Sequence, residues 1–406
     1  MTSGMSSSSA HSAGPSALGY LYQCQWALFE LLRGTALRPD CALSVEVHDD
    51  IAWDSDGAPV DLLQLKHHTS TKRSLGDKDE DLWRTLRVWM DAHDVTDQHG
   101  PTLTLITTQR AAEGSAAEAL RPHGRESETT RDESKALALL MNAAETSRAV
   151  STQQTRDRFL ALSEPARKTF VSRIIVLDSS PSIVDIDQLV RDELRWGLPR
   201  GHETRFMAQV WDWWYRLTIR MLNGDPAKVN ALQIQTFIDD LRDTYTRDNL
   251  PTLVPDDALS NEQVVQYDEF LFVHQMRWVD TPPVNLQMAV LDYYRAVTQT
   301  ALWLEDDLVG IDELDRFERK LIDEWRREFE WVITELAEDA DEQTKRRAGR
   351  ELLRKLLAQT AITVRDRYSE PFFSRGKHHE LANDQHVGWH PEFKNRIESL
   401  LMARAS

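Results

Sequence analysis

The sequence predicts an α/β domain followed by a mostly α-helical domain. Up to about residue 200, short runs rich in valine, isoleucine and threonine alternate with amphipathic helical patterns, which indicates a small mixed sheet flanked by helices. Past residue 205 the strand patterns stop, and "LNGDPAK" marks a boundary. The 406 residues exceed what one hydrophobic core usually organises. We therefore expect a disordered tail at residues 1–14, an α/β domain at 15–225 and a helical domain at 226–406.

The first domain begins with a predicted helix, "SALGYLYQCQWALFELLRG", which ends at a glycine. Two strands should follow as a hairpin, because the turn-forming "SDGAP" separates them. The remaining expected elements, in order, are a helix in "KDEDLWRTLRVWMDAH", a strand in "TLTLITT", a helix near residues 133–146, a strand in "SRIIVLD", and helices in "DIDQLVRDELRWG" and "RFMAQVWDWWYRLTIRML".

Composition limits the function classes. The formal net charge is −18, so the chain does not coat nucleic acid by charge alone, and any such binding needs local patches, oligomerisation or a partner. Two cysteines make neither a disulfide framework nor a thiolate zinc site. No apolar run approaches the roughly 18–20 residues that span a bilayer, and the polar start lacks the apolar core of a signal peptide. We expect a cytoplasmic protein.

The hairpin carries the candidate site. If "CALSVEVHDDIAW" is one strand and "VDLLQLKHH" the next, alternation places Asp50, Gln64 and Lys66 together, opposite the apolar face. Asp49 then points with the valines. Glu30, on the preceding helix, could reach the same place.

This set suits metal-dependent phosphodiester hydrolysis. Asp50 would supply the anionic ligand, and the Gln64 side-chain oxygen or the Leu65 carbonyl would supply neutral oxygens. Lys66 would orient the attacking water or help to deprotonate it, and offset charge in the transition state. Glu30 could hold a second metal ion or anchor the lysine. These residues are equally typical of an amphipathic hairpin with a solvated polar face, and that alternative stays open on the residues alone.

Four stretches, "GYLYQCQWALFELL", "VEVHDDI", "LLQLKHH" and "DLWRTLRVW", resemble the double-stranded DNA endonuclease family first associated with cyclic-oligonucleotide antiphage systems (CBASS), a branch of the PD-(D/E)XK nucleases. The family pattern is a Gly-x-x-Tyr-Gln helix, a strand ending in acids, a Gln-x-Lys strand and a Leu-Trp-x-Thr-Leu helix. The resemblance implies a restriction-endonuclease-like fold, double-stranded DNA as substrate and Mg²⁺ or Mn²⁺ as cofactor. It maps the site onto Glu30, Asp50, Gln64 and Lys66, with Glu46 as a further acid.

The second domain has no comparable constellation. A zinc site could draw on the histidines of "SRGKHHELANDQHVGWHP", but their spacing fits no established pattern, and a histidine-rich packed loop is the alternative. The tryptophans could line a cofactor site, although aromatic residues at helical spacing more often anchor cores or interfaces. They are Trp211, Trp213, Trp214, Trp278, Trp303, Trp325 and Trp331.

Three stretches of this domain, "MAVLDYYRAVTQTALWLEDDL", "ERKLIDEWRREFE" and "RGKHHELANDQHVGWHPEF", resemble the C-terminal domain on effectors of ABC-three-component defence systems, the Lamassu group. The resemblance covers roughly residues 260 to 400. It implies two partners, an ATPase of the structural-maintenance-of-chromosomes (SMC) type and a small third subunit.

Together these observations predict a metal-dependent DNA endonuclease that acts as an antiphage or antiplasmid effector. The helical domain would hold it inactive in the complex until release allows self-association into a homo-oligomer, with a tetramer favoured. Two alternatives stay open. One is a catalytically decayed adaptor that binds DNA ends or partner proteins. The other is an RNA-directed or nonspecific nuclease, because the metal chemistry does not separate DNA from RNA.

Overall fold

The computed structural model describes residues 14–68, 73–123, 131–224, 228–255, 259–359 and 361–405. The chain divides into two compact units, residues 1–240 and 241–406, which are described separately below. The predicted tail lies almost entirely outside the described residues, which start where the first helix starts, at Gly14.

A six-stranded mixed sheet organises the first unit, as the sequence predicts. Its strands are β1 (Ala42–Val45), β2 (Ile51–Ser55), β3 (Ala58–Lys66), β4 (Thr102–Thr107), β5 (Ile174–Leu177) and β6 (Val229–Asn230). Their order in the sheet is β5-β4-β3-β2-β1-β6. The β1–β2, β2–β3 and β1–β6 pairs are antiparallel, whereas β3, β4 and β5 run parallel to one another.

Helices cover this sheet, and all but three of them, at residues 116–119, 153–161 and 164–172, fall close to the predicted segments. They are α1 (Gly14–Leu37), α2 (Glu80–Ala92), α3 (Ala116–Ala119), α4 (Glu133–Thr146), α5 (Gln153–Ala161), α6 (Glu164–Ser172), α7 (Ile183–Leu194), α8 (Glu203–Leu222) and α9 (Ala231–Thr244), which crosses into the second unit. The N-terminus of α2 shows why the prediction succeeds, since Asp79 caps it by accepting a hydrogen bond from the Asp81 amide.

The stretch "CALSVEVHDDIAW" is not one strand, and this prediction was wrong. The chain bends at residues 46–50 and returns, so that β1 and β2 pair with each other and Val45 lies opposite Ile51. Glu46 adopts a left-handed backbone conformation with φ of 57°, and its amide donates to the Asp50 carbonyl at 3.1 Å. Alternation therefore cannot assign faces to Asp49, because it lies in the bend.

Both faces of the sheet are covered, so the alternative of a hairpin with a solvated polar face does not fit the described part of this hairpin. Leu62 belongs to a core that includes Trp83 and Trp89 of α2. Gln64 lies on the same face two residues further along β3, and it is only 5% exposed. On the opposite face, the ring of Trp53 lies against Gly34 of α1, where a Cβ atom would collide with it.

The division between the units falls later than the predicted boundary at residue 225, because the chain adds one more strand to the sheet. Val229 of β6 pairs with Leu43. In α9, Ile234 is fully buried and Phe237 stacks on Trp213 with ring centroids 4.3 Å apart. These apolar contacts tie the start of α9 to the first unit.

The described residues of the second unit form helices joined by loops, with no strand among them, in agreement with the mostly helical pattern of the sequence. Its helices are α10 (Asn261–Val265), α11 (Leu271–Trp278), α12 (Pro283–Glu305), α13 (Ile311–Glu335), α14 (Glu342–Ala358), α15 (Pro371–Asn383) and α16 (Phe393–Ala405). Trp303 and Trp325 are core residues, whereas Trp331 is 64% exposed. In the described segments of both units, no helix has the length and apolar content needed to cross a membrane.

The predicted histidine-rich loop is partly helical. His378 and His379 lie in α15 and are buried, and His379 packs 5.5 Å from the Phe272 ring. His390 follows in the loop before α16 and is also fully buried. His386 is exposed.

Gly376 allows the close approach of α15 to α12. A Cβ atom at this position would collide with the main-chain oxygen of Asp292 and with the Ala296 side chain. Because the backbone oxygen belongs to a helix and cannot move aside cheaply, we expect Gly376→Ala to reduce the free energy of unfolding by about 1–3 kcal/mol. Urea-induced unfolding of the full chain measures this change.

Gly310→Ala is the matched control for that variant. Gly310 precedes α13 and has a φ of −92°. Apart from its two chain neighbours, no described residue would lie within 4 Å of an alanine Cβ at this position. Because Gly310 is the N-cap of α13, where alanine is less favourable than glycine, its replacement should cost no more than about 1 kcal/mol. Equal effects of the two substitutions would contradict the close approach of α12 and α15.

Candidate active site

Asp50, Gln64 and Lys66 are brought together by the pairing of β2 with β3. Ile51 lies opposite Leu63, so Asp50, directly before β2, is next to the end of β3. One carboxylate oxygen of Asp50, Oδ2, accepts a hydrogen bond from the Leu65 amide at 2.7 Å. Asp50 is 9% exposed, and Lys66 is half-buried. The residues predicted from alternation therefore meet, although the bend, not alternation, is what positions Asp50.

Opposing effects act on the Asp50 carboxyl. Burial raises its pKa, because the charged form loses water. The Leu65 amide and the positive charge of Lys66 act in the opposite direction, as do hydrogen bonds from Gln23 and Gln64. The net pKa is raised. The charge of Lys66 only partly compensates for the burial of the Asp50 carboxylate. A bound cation would therefore stabilise the charged form of Asp50.

Asp49 is a second, half-buried acid beside Asp50. Its two oxygens accept hydrogen bonds from the Asp50 amide at 3.0 Å and from the Trp89 indole nitrogen at 2.8 Å. Burial, followed by the adjacent Asp50 charge, raises the pKa of Asp49 to about 7. The indole of α2 thus fixes the orientation of the bend that carries both acids.

We expect Trp89→Phe to raise the pKa of Asp49 further, because the indole N–H bond favours the charged carboxylate. Loss of a hydrogen bond to a charged group corresponds to roughly one pKa unit or more. Carbon-13 NMR of the carboxyl group measures the change. Trp83→Phe is the control, since Trp83 lies on the same helix, is equally buried and donates to the Asp77 carbonyl. A Trp89 variant indistinguishable from the Trp83 variant would contradict this role.

Gln23 of α1 joins the site, and we did not assign it from the sequence. Its side chain hydrogen-bonds to the Asp50 carboxyl and lowers the pKa of that group. Gln23 is the glutamine of the Gly-x-x-Tyr-Gln pattern, with Gly19 and Tyr22 as the other members. The signal was therefore present in the motif, but alternation along strands cannot place a helix residue.

Glu30 is not brought to Asp50. It follows Gln23 by two helical turns, or about 10 Å along α1. There it pairs with Arg33 at 3.5 Å and lies within electrostatic reach of Asp61 and Arg38. Burial raises the pKa of Glu30, and the Asp61 charge adds to the increase. The negative charge of Glu30 therefore compensates the positive charges of Arg33 and Arg38, away from Asp50.

Glu46, the other predicted acid, remains near the site. It is exposed at the start of the bend, and the Asp50 charge contributes, after burial, to raising its pKa. The Glu46 amide donates to the Asp50 carbonyl at 3.1 Å, so both acids belong to the same bend. Of the two acids left open by the sequence, the structure places Glu46, and not Glu30, beside Asp50.

The donor set fits a hard divalent cation. Carboxylates of Asp49 and Asp50, with the amide groups of Gln23 and Gln64, offer oxygen ligands of the kind that Mg²⁺ and Mn²⁺ take. Leu65 already uses its amide to hold Asp50. Counting only His, Cys, Asp and Glu, no group of three or more that could hold a metal ion occurs within the described ranges. The two glutamines are needed to complete the set.

The geometry defines an α/β unit with acids and a Gln-x-Lys pair at adjacent strand ends, joined in sequence to a helical unit. Residues 272–397, within the helical unit, match the family model for C-terminal domain 7 of the ABC-three component (ABC-3C) systems. No curated protein matches the chain. The match supports a place for this chain in an ABC-three-component defence system and, through it, in a complex of several subunits.

Proposed function

We propose that this chain is the metal-dependent DNA endonuclease effector of an ABC-three-component defence system of the Lamassu group. The observation that carries the proposal is the convergence of Asp50, Gln64 and Lys66 at the ends of β2 and β3. A mixed sheet that places them beside a helix carrying Gln23 supports a fold of the PD-(D/E)XK type. The family match of residues 272–397 supports the defence context.

In this proposal Asp50 and Gln64 hold Mg²⁺ or Mn²⁺, with Asp49 and Gln23 beside them. The ion, when bound, polarises the scissile phosphate and lowers the pKa of a bound water. Lys66 orients the attacking water and offsets the negative charge that develops on the phosphate oxygens. The Leu65 amide keeps the Asp50 carboxylate directed at the site. With few acids present, we expect weak metal affinity.

The C-terminal unit is proposed to dock on an SMC-type ATPase and a small third subunit, which hold the nuclease inactive. Release then allows self-association, with a tetramer favoured. Self-association would also allow a chain with a net charge of −18 to bind DNA, because each copy in the oligomer contributes a modest DNA-contacting patch and these patches bind together.

Cleavage of linear and supercoiled plasmid by the purified full chain tests the proposal. Reactions contain Mg²⁺, Mn²⁺ or EDTA, and the protein concentration is raised until light scattering detects self-association. We expect cutting that requires a metal ion and increases steeply with concentration. Cutting that persists in EDTA would contradict a metal-dependent mechanism. The absence of cutting by the self-associated protein, together with retained binding of DNA ends, would favour the adaptor function.

A further inference from the structure

A cavity of about 470 Å³ lies in the helical unit between α12, α14 and α15. This volume falls within the range of small-molecule sites. Its floor is apolar and includes Met276, Ala289 and Leu353. The second unit alone supplies all of its walls, so the cavity is complete within one chain and separate from the acids of the nuclease site.

Three arginines give the cavity a positive charge. Arg350 and Arg354 reach it from α14, and Arg375 from α15, whereas Asp292 is the one acid among the described residues that line it. Burial raises the pKa of Asp292 to about 6, and the charges of Arg375 and Arg295 oppose this rise, so the carboxylate stays largely ionised at pH 7 and offsets one of the three arginine charges. In a chain with a net charge of −18, such a concentration of arginines around an apolar floor selects for an anion.

Two lining residues have polar atoms with no hydrogen-bond partner in the protein. The Thr281 hydroxyl is buried and unpaired, and both ring nitrogens of His379 are unpaired although its side chain is fully buried. Burial lowers the pKa of His379 to about 3, so its ring is neutral and offers one donor and one acceptor. Unpaired buried groups cost free energy unless a ligand or water satisfies them.

We propose that this cavity binds a phosphorylated small molecule of the nucleotide class. The phosphates lie against Arg350, Arg354 and Arg375. Arg350 Nη1 already donates to the Asp280 carbonyl at 3.2 Å and Arg375 Nε to the Leu357 carbonyl at 3.1 Å, and the remaining guanidinium N–H groups can donate to phosphate oxygens. A heteroaromatic ring lies on the methionine and leucine floor, where its donors and acceptors reach Thr281 and His379. The bound molecule joins α14 to the tightly packed pair of α12 and α15, and so stabilises the second unit.

Isothermal titration calorimetry of the full-length protein in EDTA tests this site. ATP, ADP and AMP are compared with adenosine, inorganic phosphate and citrate, which separate the contributions of the ring and the charge. We expect a nucleotide to bind with a stoichiometry of one per chain, at least about tenfold more tightly than adenosine, phosphate or citrate. The same nucleotide should raise the melting temperature.

Two variants and a control locate the binding. Arg354 is exposed, so Arg354→Ala should fold normally and weaken binding about tenfold, and the Arg350→Ala/Arg354→Ala double variant should weaken it further. Arg347→Ala is the control, because Arg347 lies on the same helix, is exposed and pairs with Glu351 outside the cavity. Absence of nucleotide binding at millimolar concentration, equal binding of all anions, or unchanged binding by the double variant would each overturn the proposal.

Discussion

Replacing Lys66 with alanine is expected to reduce DNA cleavage to the level of a metal-free reaction. Lys66 supplies a positive charge beside Asp49 and Asp50, and it counteracts the rise in the pKa of both carboxyl groups. Removal of one group that stabilises a phosphodiester transition state costs about 10²–10³-fold in rate. Initial rates of plasmid nicking with Mn²⁺ measure the loss.

The same substitution should leave the fold intact, because the Lys66 side chain is half-buried at the end of β3. We expect the free energy of unfolding to change by no more than about 1 kcal/mol. A loss of about 2–5 kcal/mol, as for deletion of a core side chain, would show that Lys66 has a structural role. Lys168→Ala is the matched control, since Lys168 is exposed on α6 and pairs only with Glu164 among the contacts described. Its cleavage rate should equal that of the wild type.

The C-terminal unit is expected to lose stability in mild acid because its helix α15 buries two neutral histidines. Burial lowers the pKa of His378 to about 4 and that of His379 to about 3. In the unfolded chain the histidines are protonated at their ordinary pKa of about 6.5. Between pH 6.5 and 4 the unfolded chain therefore binds more protons than the folded unit, in which these two histidines stay neutral. Stability is therefore present above pH 6.5 and is lost as the pH falls. At pH 5 the loss is about 2 kcal/mol per histidine.

Urea-induced unfolding of the full chain at pH 7 and pH 5 measures this loss, and hydrogen exchange of α15 peptides assigns it to the second unit. His378→Gln should reduce the difference between the two pH values by about 2 kcal/mol. His386→Gln should leave it unchanged, because His386 is exposed. If the two variants behave alike, the acid sensitivity comes from groups other than the buried pair.

The sequence predicted elements where local signals and long-range packing agree. α2 has an aspartate cap and an apolar stripe, and β4 is a short β-branched run between turn residues. The bend at residues 46–50 was missed because "VEVHDD" alternates like a strand. What reverses the chain there is a left-handed Glu46 and a pairing of Val45 with Ile51, neither of which alternation reports. β6 was missed because two residues are too few to form a pattern.

The candidate site shows a similar division. The Gln64-x-Lys66 pair was predictable because both residues belong to one strand, whereas contacts between helix and strand depend on how α1 packs. Glu30 and Gln23 lie on the same side of α1, and only the packing decides which of the two reaches Asp50. In the second unit, the segment of α15 that contains the buried histidines was predicted to be a loop. Histidine does not count as an apolar residue, so this segment shows no apolar stripe at helical spacing.

Binding of Mn²⁺ to the full chain, counted by electron paramagnetic resonance, tests the central claim most directly, because it does not require the effector to be active. We predict one or two weakly bound ions in the wild type and their loss in Asp50→Asn. Asp61→Asn should retain them, since Asp61 is a comparably buried acid held by Arg38 at 2.8 Å and by Thr104 at 2.9 Å. Equal binding by the wild type and Asp50→Asn, or no binding at millimolar Mn²⁺, would contradict a metal-dependent nuclease site at the ends of β2 and β3.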